Sequence, residues 1–310
     1  MMASTALPGA GERILARGDQ KAIIVEAGAG VRHYTVEGVH VLAGYRPERV
    51  CPSARGQWLV PWPNRIRDGK YTVDGDEHVL PIQDPEPDSA IHGLARWVPF
   101  QVLDQDAARV DLGAVLPARP GYPWPLEMRV SWALTAEGLR SRLTVRNLAS
   151  EPVPFGAGAH PYLSAGGSLR ELINAGDITI PGATRLTGEN AFLTERKAVD
   201  SEDDFRTARR IGNHRLGLYS DLDRDSDGLA TVVFDREDGW QVSVWQDESW
   251  PFVLLYTADQ VSDSEGRRTS VAVEPMTCAV DAFNTGDGLI TLQPGEEFTG
   301  SWGISVRQPG

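Results

Sequence analysis

Hydrophobic and polar residues alternate along much of the chain with a period of two, which is typical of strands that bury one face. The stretch EMRVSWALT places Met128, Val130, Trp132 and Leu134 on one face. The stretch LRSRLTVRN repeats the alternation, and the AEG segment between the two indicates a hairpin turn. These stretches predict two antiparallel strands with one buried face.

Other stretches predict further strands, namely ATVVFD, WQVSVWQ, FVLLYT, SVAVE and SWGISV. The 32 glycines and 21 prolines punctuate them, and long amphipathic helical stretches are hard to find. There is no internal repeat, low-complexity linker or abrupt shift in composition. We therefore predict an all-β protein, a large antiparallel β-sandwich that forms a single domain over residues 1–310. We expect residues 1–19 to be a flexible N-terminal segment.

The most irregular part of the chain is the polar stretch 184–227. Its DLDRDSDG segment alternates acidic residues as calcium loops do. However, glycine stands at the eighth position of that segment instead of the sixth, and no glutamate stands at the twelfth. We interpret the segment as a solvated loop.

Composition and charge narrow the function classes. Hydrophobic residues make up 41% and charged residues 24%, which is ordinary for a globular protein. The net charge of −13 and the lack of a basic run argue against nucleic acid and anionic membrane surfaces as partners. The same charge disfavours anionic substrates, although one arginine in a cleft can overrule it locally.

The location follows from what the sequence lacks. No stretch of eighteen apolar residues occurs, and no apolar run follows a basic start, so we expect neither a membrane span nor a signal peptide. We predict a cytoplasmic protein. Cys51 and Cys278, the two cysteines, are then expected to be reduced, buried small residues.

Candidate chemistry begins with LVPWPNRIRDGKY, residues 59–71. Prolines stiffen the backbone around Trp62, so that Arg65 presents a fork suited to sugar hydroxyls or carboxylates. Taken alone, a surface arginine beside a hairpin explains this stretch more simply.

A second stretch is PFGAGAHPYL, residues 154–163. Alternation puts His160 on the same face as Gly156 and Gly158, which leaves room for a ligand. Pro161 holds His160 in extended geometry and ends regular pairing. A histidine packed under a neighbouring loop is the alternative.

A third stretch is SVAVEPMTCAVDAFN, residues 270–284. Val271 and Val273 face one way and Glu274 faces the other, and Glu274 ends its strand directly before Pro275. An acidic residue that closes an apolar strand needs a partner or a function, and a structural ion pair with an arginine would also satisfy it.

His92, in IHGLARWVPF, is of interest only if other polar groups converge on it.

The remaining signals exclude several classes of chemistry. There is no HExxH or paired CxxC spacing, no GxSxG elbow, no P-loop and no GxGxxG opening a helix. We therefore expect no metal site and no cofactor. A carboxylate, histidines and an arginine remain, which together suit a general acid/base site.

Four stretches in order, PWPNRIRDGKY, IHG, GAGAHPYL and VAVEPMTCAVDAFN, resemble the aldose 1-epimerase (galactose mutarotase) family. The terminal LQPGEEFTGSWGISV is similar to the closing strands of that family, so the resemblance covers residues 20–307. It implies a galactose mutarotase-like supersandwich with a sugar site in a broad cleft on one sheet. It also implies interconversion of the α and β anomers of a free neutral aldose.

The resemblance implies a role for each matching residue. It makes Glu274 the base and His160 the acid, and it makes Asn64, Arg65 and His92 contacts to the sugar. The partner is then a monosaccharide, and we expect a monomer or a weak homodimer.

Two positions depart from the family pattern. A family aspartate has no clean match, because RLGLYSDL carries Gly217 near that place and Asp221 does not align. Leu254 stands where many members have glutamine.

Two alternatives stay open: a non-catalytic sugar-binding or sensing protein on the same fold, and a hexose-6-phosphate 1-epimerase. The phosphate alternative would need an extra cationic pocket. Trp62 and Trp97 are expected to bind sugar in the catalytic and the non-catalytic case.

Overall fold

The structure, a computed structural model, describes residues 8–85, 87–166, 175–261 and 267–309. Within these ranges Ala282–Thr285 forms the one α-helix, α1, and short 3₁₀ turns cover Pro52–Ala54 and Ala95–Trp97. The strands in chain order are β1 (Glu12–Arg17), β2 (Gln20–Val25), β3 (Val31–Val36), β4 (Val39–His40), β5 (Trp58–Leu59), β6 (Arg65–Arg67), β7 (Lys70–Val73), β8 (Asp76–Val79), β9 (Asp84–Pro85), β10 (Asp88–Ile91), β11 (Gln101–Gln105), β12 (Arg109–Leu116), β13 (Leu126–Leu134), β14 (Gly138–Asn147), β15 (Val153–Phe155), β16 (Gly158–Ala159), β17 (Tyr162–Ser164), β18 (Gly176–Thr179), β19 (Gly182–Thr187), β20 (Glu195–Ala198), β21 (Arg209–Arg210), β22 (Leu216–Leu222), β23 (Ala230–Arg236), β24 (Gln241–Gln246), β25 (Phe252–Tyr256), β26 (Ser270–Met276), β27 (Ile290–Leu292) and β28 (Glu297–Arg307).

Two large antiparallel sheets organise these strands. The nine-stranded sheet has the order β11-β12-β13-β14-β28-β24-β23-β18-β21. The eight-stranded sheet has the order β20-β19-β22-β25-β26-β16-β5, with β17 paired to β26. Strands β1 to β4 form a third sheet, and three small sheets complete the described part. The prediction of an all-β, antiparallel fold is confirmed.

The hairpin predicted from the clearest alternation is β13 and β14. Leu134 pairs with Leu139 beside the turn, and Trp132 pairs with Ser141. Along β13 the residues from Leu126 to Leu134 alternate between buried and more exposed. The period-two pattern and its buried face are therefore confirmed.

A tryptophan cluster joins the two large sheets across the core. Trp58 of β5 lies 6.2 Å from Trp132, 5.9 Å from Trp250 and 5.9 Å from Trp302, measured between ring centroids. All four rings are buried, and each aromatic pair contributes about 0.5–1.5 kcal/mol beyond the burial of its area. Because Trp58 pairs with Ala159, this cluster anchors the segment that leads into His160.

Two parts of the chain differ from the sequence prediction. Residues 12–17, expected to be flexible, form β1 and pair with β2, while residues 1–7 lie outside the described residues. The stretch 184–227 is not one irregular loop, because β20, β21 and β22 lie within it. Strand β22 is buried at four consecutive positions, 217–220, so it lacks the alternation that marks a half-exposed strand. Asp221 and Leu222 of the acidic segment end β22, whereas 223–228 form a loop as predicted, in which Asp225 accepts hydrogen bonds from the N–H groups of Asp227 and Leu229.

The cysteines and hydropathy of the described residues bear on two further expectations. Cys51 and Cys278 are both free thiols. Cys278 is buried as expected, but Cys51 is partly exposed. In the ranges that the structure describes, no helix is long and apolar enough to cross a membrane.

Candidate active site

A cavity of about 460 Å³ contains all five side chains that the sequence singled out. These residues are Asn64, Arg65, His92, His160 and Glu274. They come from separate segments of the chain, and two of them stand on the eight-stranded sheet, Glu274 in β26 and His160 in the β16–β17 connection. A larger cavity of about 660 Å³, lined by residues such as Arg17 and Glu137, holds none of them.

Glu274 and His160 touch each other on the wall of this cavity. Nε2 of His160 lies 3.3 Å from Oε1 of Glu274, and both side chains are almost fully buried. The other oxygen, Oε2 of Glu274, has no hydrogen-bond partner among the described residues, and neither has Nδ1 of His160. Buried polar atoms are normally paired, so the free Oε2 on a cavity wall is suited to a ligand hydroxyl.

The backbone around each of the two residues explains their placement. The N–H of His160 donates to the carbonyl of Gln57 at 3.1 Å, and the N–H of Gly56 donates to the carbonyl of His160 at 2.8 Å. Glu274 pairs with Leu254 in β25. Its neighbours Val271 and Val273 point into the main core, so Glu274 faces the cavity side, as alternation predicts.

The expectation that Glu274 ends its strand is wrong. Strand β26 continues to Met276, with Pro275 opposite Val253 and Met276 opposite Gly158. The fixed φ of proline is compatible with an extended strand, and only its missing N–H interrupts the ladder. Strand residues therefore both precede and follow Glu274, which holds it more rigidly than a strand end would.

The glycines before His160 do not leave room for a ligand, as the sequence suggested. A Cβ atom at Gly156 would lie 2.5 Å from Sγ of Cys278, and one at Gly158 would lie 2.8 Å from Cβ of Pro63. The bare face is filled by other parts of the protein. These glycines instead allow the segment that carries Asn64 and Arg65 to pack closely against the segment that carries His160.

Burial dominates the electrostatics of Glu274 and His160. It raises the pKa of Glu274 well above its usual value, against the opposing effect of Arg65. Burial, together with the charges of Arg96 and Arg55, lowers the pKa of His160 to about 3. The pair therefore favours a state without net charge, in which the carboxyl group of Glu274 is protonated and the imidazole of His160 is neutral. The proton on Glu274 is the one that the two groups can share. The direct contact of the two side chains gives this proton a path to His160.

His92 is fixed by the segment that carries Asn64. The N–H of Asn64 donates to Nδ1 of His92 at 3.2 Å, and the N–H of His92 donates to the carbonyl of Asn64 at 2.8 Å. Both residues have positive φ values, 52° and 62°. Burial, followed by the effects of His160, Arg96 and Arg65, holds the pKa of His92 well below its usual value. Because Nδ1 is an acceptor, the neutral ring carries its hydrogen on Nε2 and is a donor there.

Arg65 does not stand free in the cavity. Its Nε and Nη2 donate to Oδ2 of Asp84 at 3.0 and 2.7 Å, and Nη1 lies 3.4 Å from Oδ1 of Asn64. The alternative of a surface arginine is wrong, since its side chain is only 11% exposed. Asp84 comes from a proline-rich polar stretch that gave no sequence signal.

The cavity wall also contains residues that the sequence analysis missed. Arg96 and Arg215 line it, and no carboxylate of the described residues lies within ion-pair distance of either. The cavity aspartates are already engaged: Asp84 with Arg65, and Asp259 with Arg268. With Glu274 in its protonated form, the wall has three arginines, Arg65, Arg96 and Arg215, against two aspartates, so its charge is positive, in contrast to the whole chain.

The aromatic residues at the cavity differ from those expected. Trp62 is buried against Phe283, Trp97 is half exposed, and neither lines the cavity. Tyr162 and Tyr256 line it instead. Tyr162 lies two residues after His160, so strand alternation could have identified it.

The two departures from the family pattern are both visible in the structure. Leu254 lines the cavity and offers no polar contact. Asp221 does not line it, and its side chain is 64% exposed.

Across the described residues, no group of three His, Cys, Asp or Glu side chains is arranged to hold a metal ion.

Comparison with known proteins identifies related chains. A family model described as aldose 1-epimerase matches residues 14–305. The uncharacterized protein YihR of Escherichia coli (strain K12) is 33% identical over 290 residues, which cover 91% of this chain and 89% of that protein. Galactose mutarotase of Rattus norvegicus is 30% identical over 161 residues, which cover 49% of this chain and 45% of that protein.

Solved structures share the fold at lower identity. A galactose mutarotase-like protein from Clostridium acetobutylicum aligns with a TM-score of 0.82 and 20% identity, covering 95% of this chain and 94% of that chain. Galactose 1-epimerase from Lactobacillus acidophilus aligns with a TM-score of 0.79 and 18% identity, covering 96% of this chain and 95% of that chain.

Proposed function

The chain belongs to the aldose 1-epimerase family, and from this premise we propose that it interconverts the α and β anomers of a free neutral aldose. The observation that carries the proposal is the 3.3 Å contact between Nε2 of His160 and Oε1 of Glu274 on the cavity wall. A base and an acid in contact can serve two sugar oxygens that are bonded to the same carbon, as the C1 hydroxyl and the ring oxygen O5 are.

The proposed reaction is a ring opening followed by a ring closure. Glu274 takes the proton of the C1 hydroxyl while His160 gives a proton to O5, so that the C1–O5 bond breaks and an aldehyde forms. The C1–C2 bond rotates, and the O5 hydroxyl attacks the other face of the aldehyde. His160 then recovers its proton and Glu274 returns its own. General acid/base catalysis of this kind contributes typically about 10²–10⁴-fold.

The pair needs one proton in total for this reaction. Ring opening uses the form with a carboxylate on Glu274 and an imidazolium on His160, whereas burial favours the form with the proton on Glu274. A sugar hydroxyl that donates to Glu274 stabilises the carboxylate and so shifts the proton to His160. Substrate binding thereby prepares the reactive form.

Asn64, Arg65 and His92 are proposed to hold the sugar. Arg65 is oriented by Asp84, and His92 presents an Nε2–H donor because Asn64 occupies its Nδ1. These groups supply hydrogen bonds in fixed directions, which is what places O5 next to His160.

Freshly dissolved α-glucose, α-galactose and several pentoses, followed by polarimetry, test the proposal. We expect the optical rotation of at least one sugar to reach equilibrium much faster with the protein than in buffer. The sugar-binding alternative predicts saturable binding of a sugar whose rotation changes at the uncatalysed rate. The proposed chemistry uses side chains alone, so EDTA is expected to leave the rate unchanged.

A second candidate substrate is an aldose with an anionic group at C6, such as a hexose 6-phosphate. The observation that favours it is the presence of Arg96 and Arg215 on the cavity wall without a carboxylate partner among the described residues. Isothermal titration with glucose, glucose 6-phosphate and glucuronate separates the two candidates. Tighter binding of either anion would replace the neutral aldose as substrate without changing the roles of Glu274 and His160.

We further propose that the protein works in the cytoplasm, as one domain and as a monomer or weak homodimer. The net charge of −13 supports the low oligomeric state, because the copies repel each other. Size-exclusion chromatography with light scattering tests the oligomeric state, and a stable higher oligomer would contradict it.

A further inference from the structure

The proposed acid, His160, lacks the usual orienting hydrogen bond. A catalytic histidine is normally aligned by a carboxylate or carbonyl that accepts from its second ring nitrogen. Here Nδ1 of His160 is buried and finds no partner on another described residue. Something else must fix the ring so that Nε2 faces Glu274.

Aromatic packing fills that role. The ring of Tyr162 stacks on the imidazole of His160, with centroids 4.9 Å apart and planes only 5° from parallel. The ring of His92 meets His160 edge-on at 5.1 Å. These two contacts fix the plane of the imidazole, and the 3.3 Å contact with Glu274 then selects the edge of the ring that carries Nε2.

Tyr162 is itself held by a cation over its ring and by a hydrogen bond at its tip. The guanidinium carbon of Arg55 lies 4.5 Å from the centre of the Tyr162 ring, on a side chain that is only 4% exposed. The hydroxyl of Tyr162 donates to the carbonyl of Ser53 at 3.3 Å. A desolvated cation over a tyrosine face is more favourable than an exposed one, so Arg55 helps to keep the ring in place.

We propose that Tyr162 is a positioning residue that aligns His160 by stacking, and that Arg55 holds Tyr162 in that stack, close enough for its own charge to disfavour protonation of His160. This inference rests on the proposed function for the identity of the acid. The charged and titratable groups that face His160 are Glu274 from β26, Arg96 after β10, and Arg55, His92 and Tyr162. Among them Arg55 and Arg96 oppose a positive charge on His160, so the loss of Arg55 makes protonation easier.

Three variants test the stack by turnover. Tyr162→Leu removes the aromatic ring, and we expect kcat to fall about 10²-fold, because a displacement of the order of 1 Å costs that much. Tyr162→Phe keeps the ring and is expected to restore at least half of wild-type kcat. Tyr219→Leu is the matched control, since Tyr219 is an equally buried tyrosine in the same sheet that does not line the cavity. It is expected to lower the melting temperature as Tyr162→Leu does while leaving kcat unchanged.

Nitrogen NMR of the imidazoles gives a readout that needs no turnover, and six histidines make the assignment tractable. In Tyr162→Leu we expect the freed ring to lose its fixed contact with Glu274 and to populate both tautomers, so that its two ring-nitrogen shifts move towards each other. Tyr162→Phe is expected to leave them as in the wild type. Arg55→Met is expected to raise the pH at which His160 titrates. If Tyr162→Leu does not fold, the titration of His160 in Arg55→Met tests the proposal by itself.

Two results would overturn the inference. One is wild-type kcat and unchanged His160 shifts in Tyr162→Leu, and the other is an unchanged His160 titration in Arg55→Met. A wild-type protein that accelerates no sugar would instead reject the proposed function. The NMR measurements would still report whether the stack fixes His160.

Discussion

Oδ2 of Asp84 accepts hydrogen bonds from both Nε and Nη2 of Arg65, at 3.0 and 2.7 Å. The aspartate uses one edge of the guanidinium and leaves Nη1 beside Oδ1 of Asn64, at 3.4 Å. Since guanidinium groups bind through a rigid fork, the aspartate decides which N–H groups of Arg65 remain available to a ligand in the cavity. The orientation of the Arg65 guanidinium in the cavity thus depends on Asp84 as well as on Arg65 itself.

Asp84→Asn is expected to weaken sugar binding while sparing the chemical step. The amide keeps the shape but loses the charge, so Arg65 is held less firmly. We expect KM to rise about tenfold, equivalent to about 1.4 kcal/mol, with kcat changed by less than threefold. Asp221→Asn is the matched control, because this exposed aspartate does not line the cavity. An unchanged KM in Asp84→Asn would remove Arg65 from sugar binding or make its orientation independent of Asp84.

The pH dependence of turnover follows from a Glu274–His160 pair that needs one proton in total. A second proton enters when His160 is protonated beside protonated Glu274, and burial lowers that pKa to about 3. The single proton is lost only at the raised pKa of Glu274. Such limits belong to the pair as a whole. We expect kcat/KM to persist below pH 6.5 and to fall at high pH, as measured in non-coordinating buffers. An acid limb centred at the ordinary histidine pKa of about 6.5 would contradict this account.

The sequence was informative where a strand buries one face. Met128, Val130 and Trp132 alternate with more exposed neighbours, so β13 could be read from its period. Strand β22 could not, because consecutive residues such as Leu218 and Tyr219 are buried on both faces. The period of two disappears when both faces of a strand are covered.

In the candidate site, too, the sequence revealed some residues and not others. His160 and Glu274 stand next to prolines in apolar surroundings, which made them visible before the fold was known. Arg96 and Asp84 have no local signal, because their position depends on how distant segments pack. The glycines before His160 were interpreted as space for a ligand, yet Gly156 faces Cys278. A missing side chain shows that something lies close, but only the fold shows what it is.

Gly156→Ala tests this close packing. The added methyl group would meet Sγ of Cys278 at 2.5 Å and must displace it, so we expect a loss of about 1–3 kcal/mol in the free energy of unfolding by urea. Cys278→Ala removes the sulfur that the methyl meets. The double variant is therefore expected to be more stable than the sum of the two single changes predicts. Strict additivity of the two changes would mean that Gly156 is not packed against Cys278.

Stability at acid pH should fall because several histidines are buried in their neutral form. Burial, then His40 and nearby cations, lowers the pKa of His33 to about 4, and burial, then Arg185, lowers the pKa of His214 to about 4. The unfolded chain binds these protons near pH 6.5, so between pH 6.5 and 4 it holds more protons than the folded chain. Stability therefore rises with pH in this window and is lost as the pH falls. We expect the melting temperature to drop from pH 6.5 to 4, and to drop less in His33→Gln. An equal drop in that variant would show that His33 does not contribute.

The central claim is that Glu274 is the base of the reaction, and turnover measured beside affinity in Glu274→Gln tests it most directly. Glutamine keeps the size and hydrogen-bonding capacity of the side chain at the 3.3 Å contact with His160 but cannot take the C1 proton. The account predicts that kcat in polarimetry falls by about 10²-fold or more, while the Kd of the same sugar by isothermal titration changes by less than about threefold. Glu274→Gln with near wild-type turnover would contradict it and move the base to another residue.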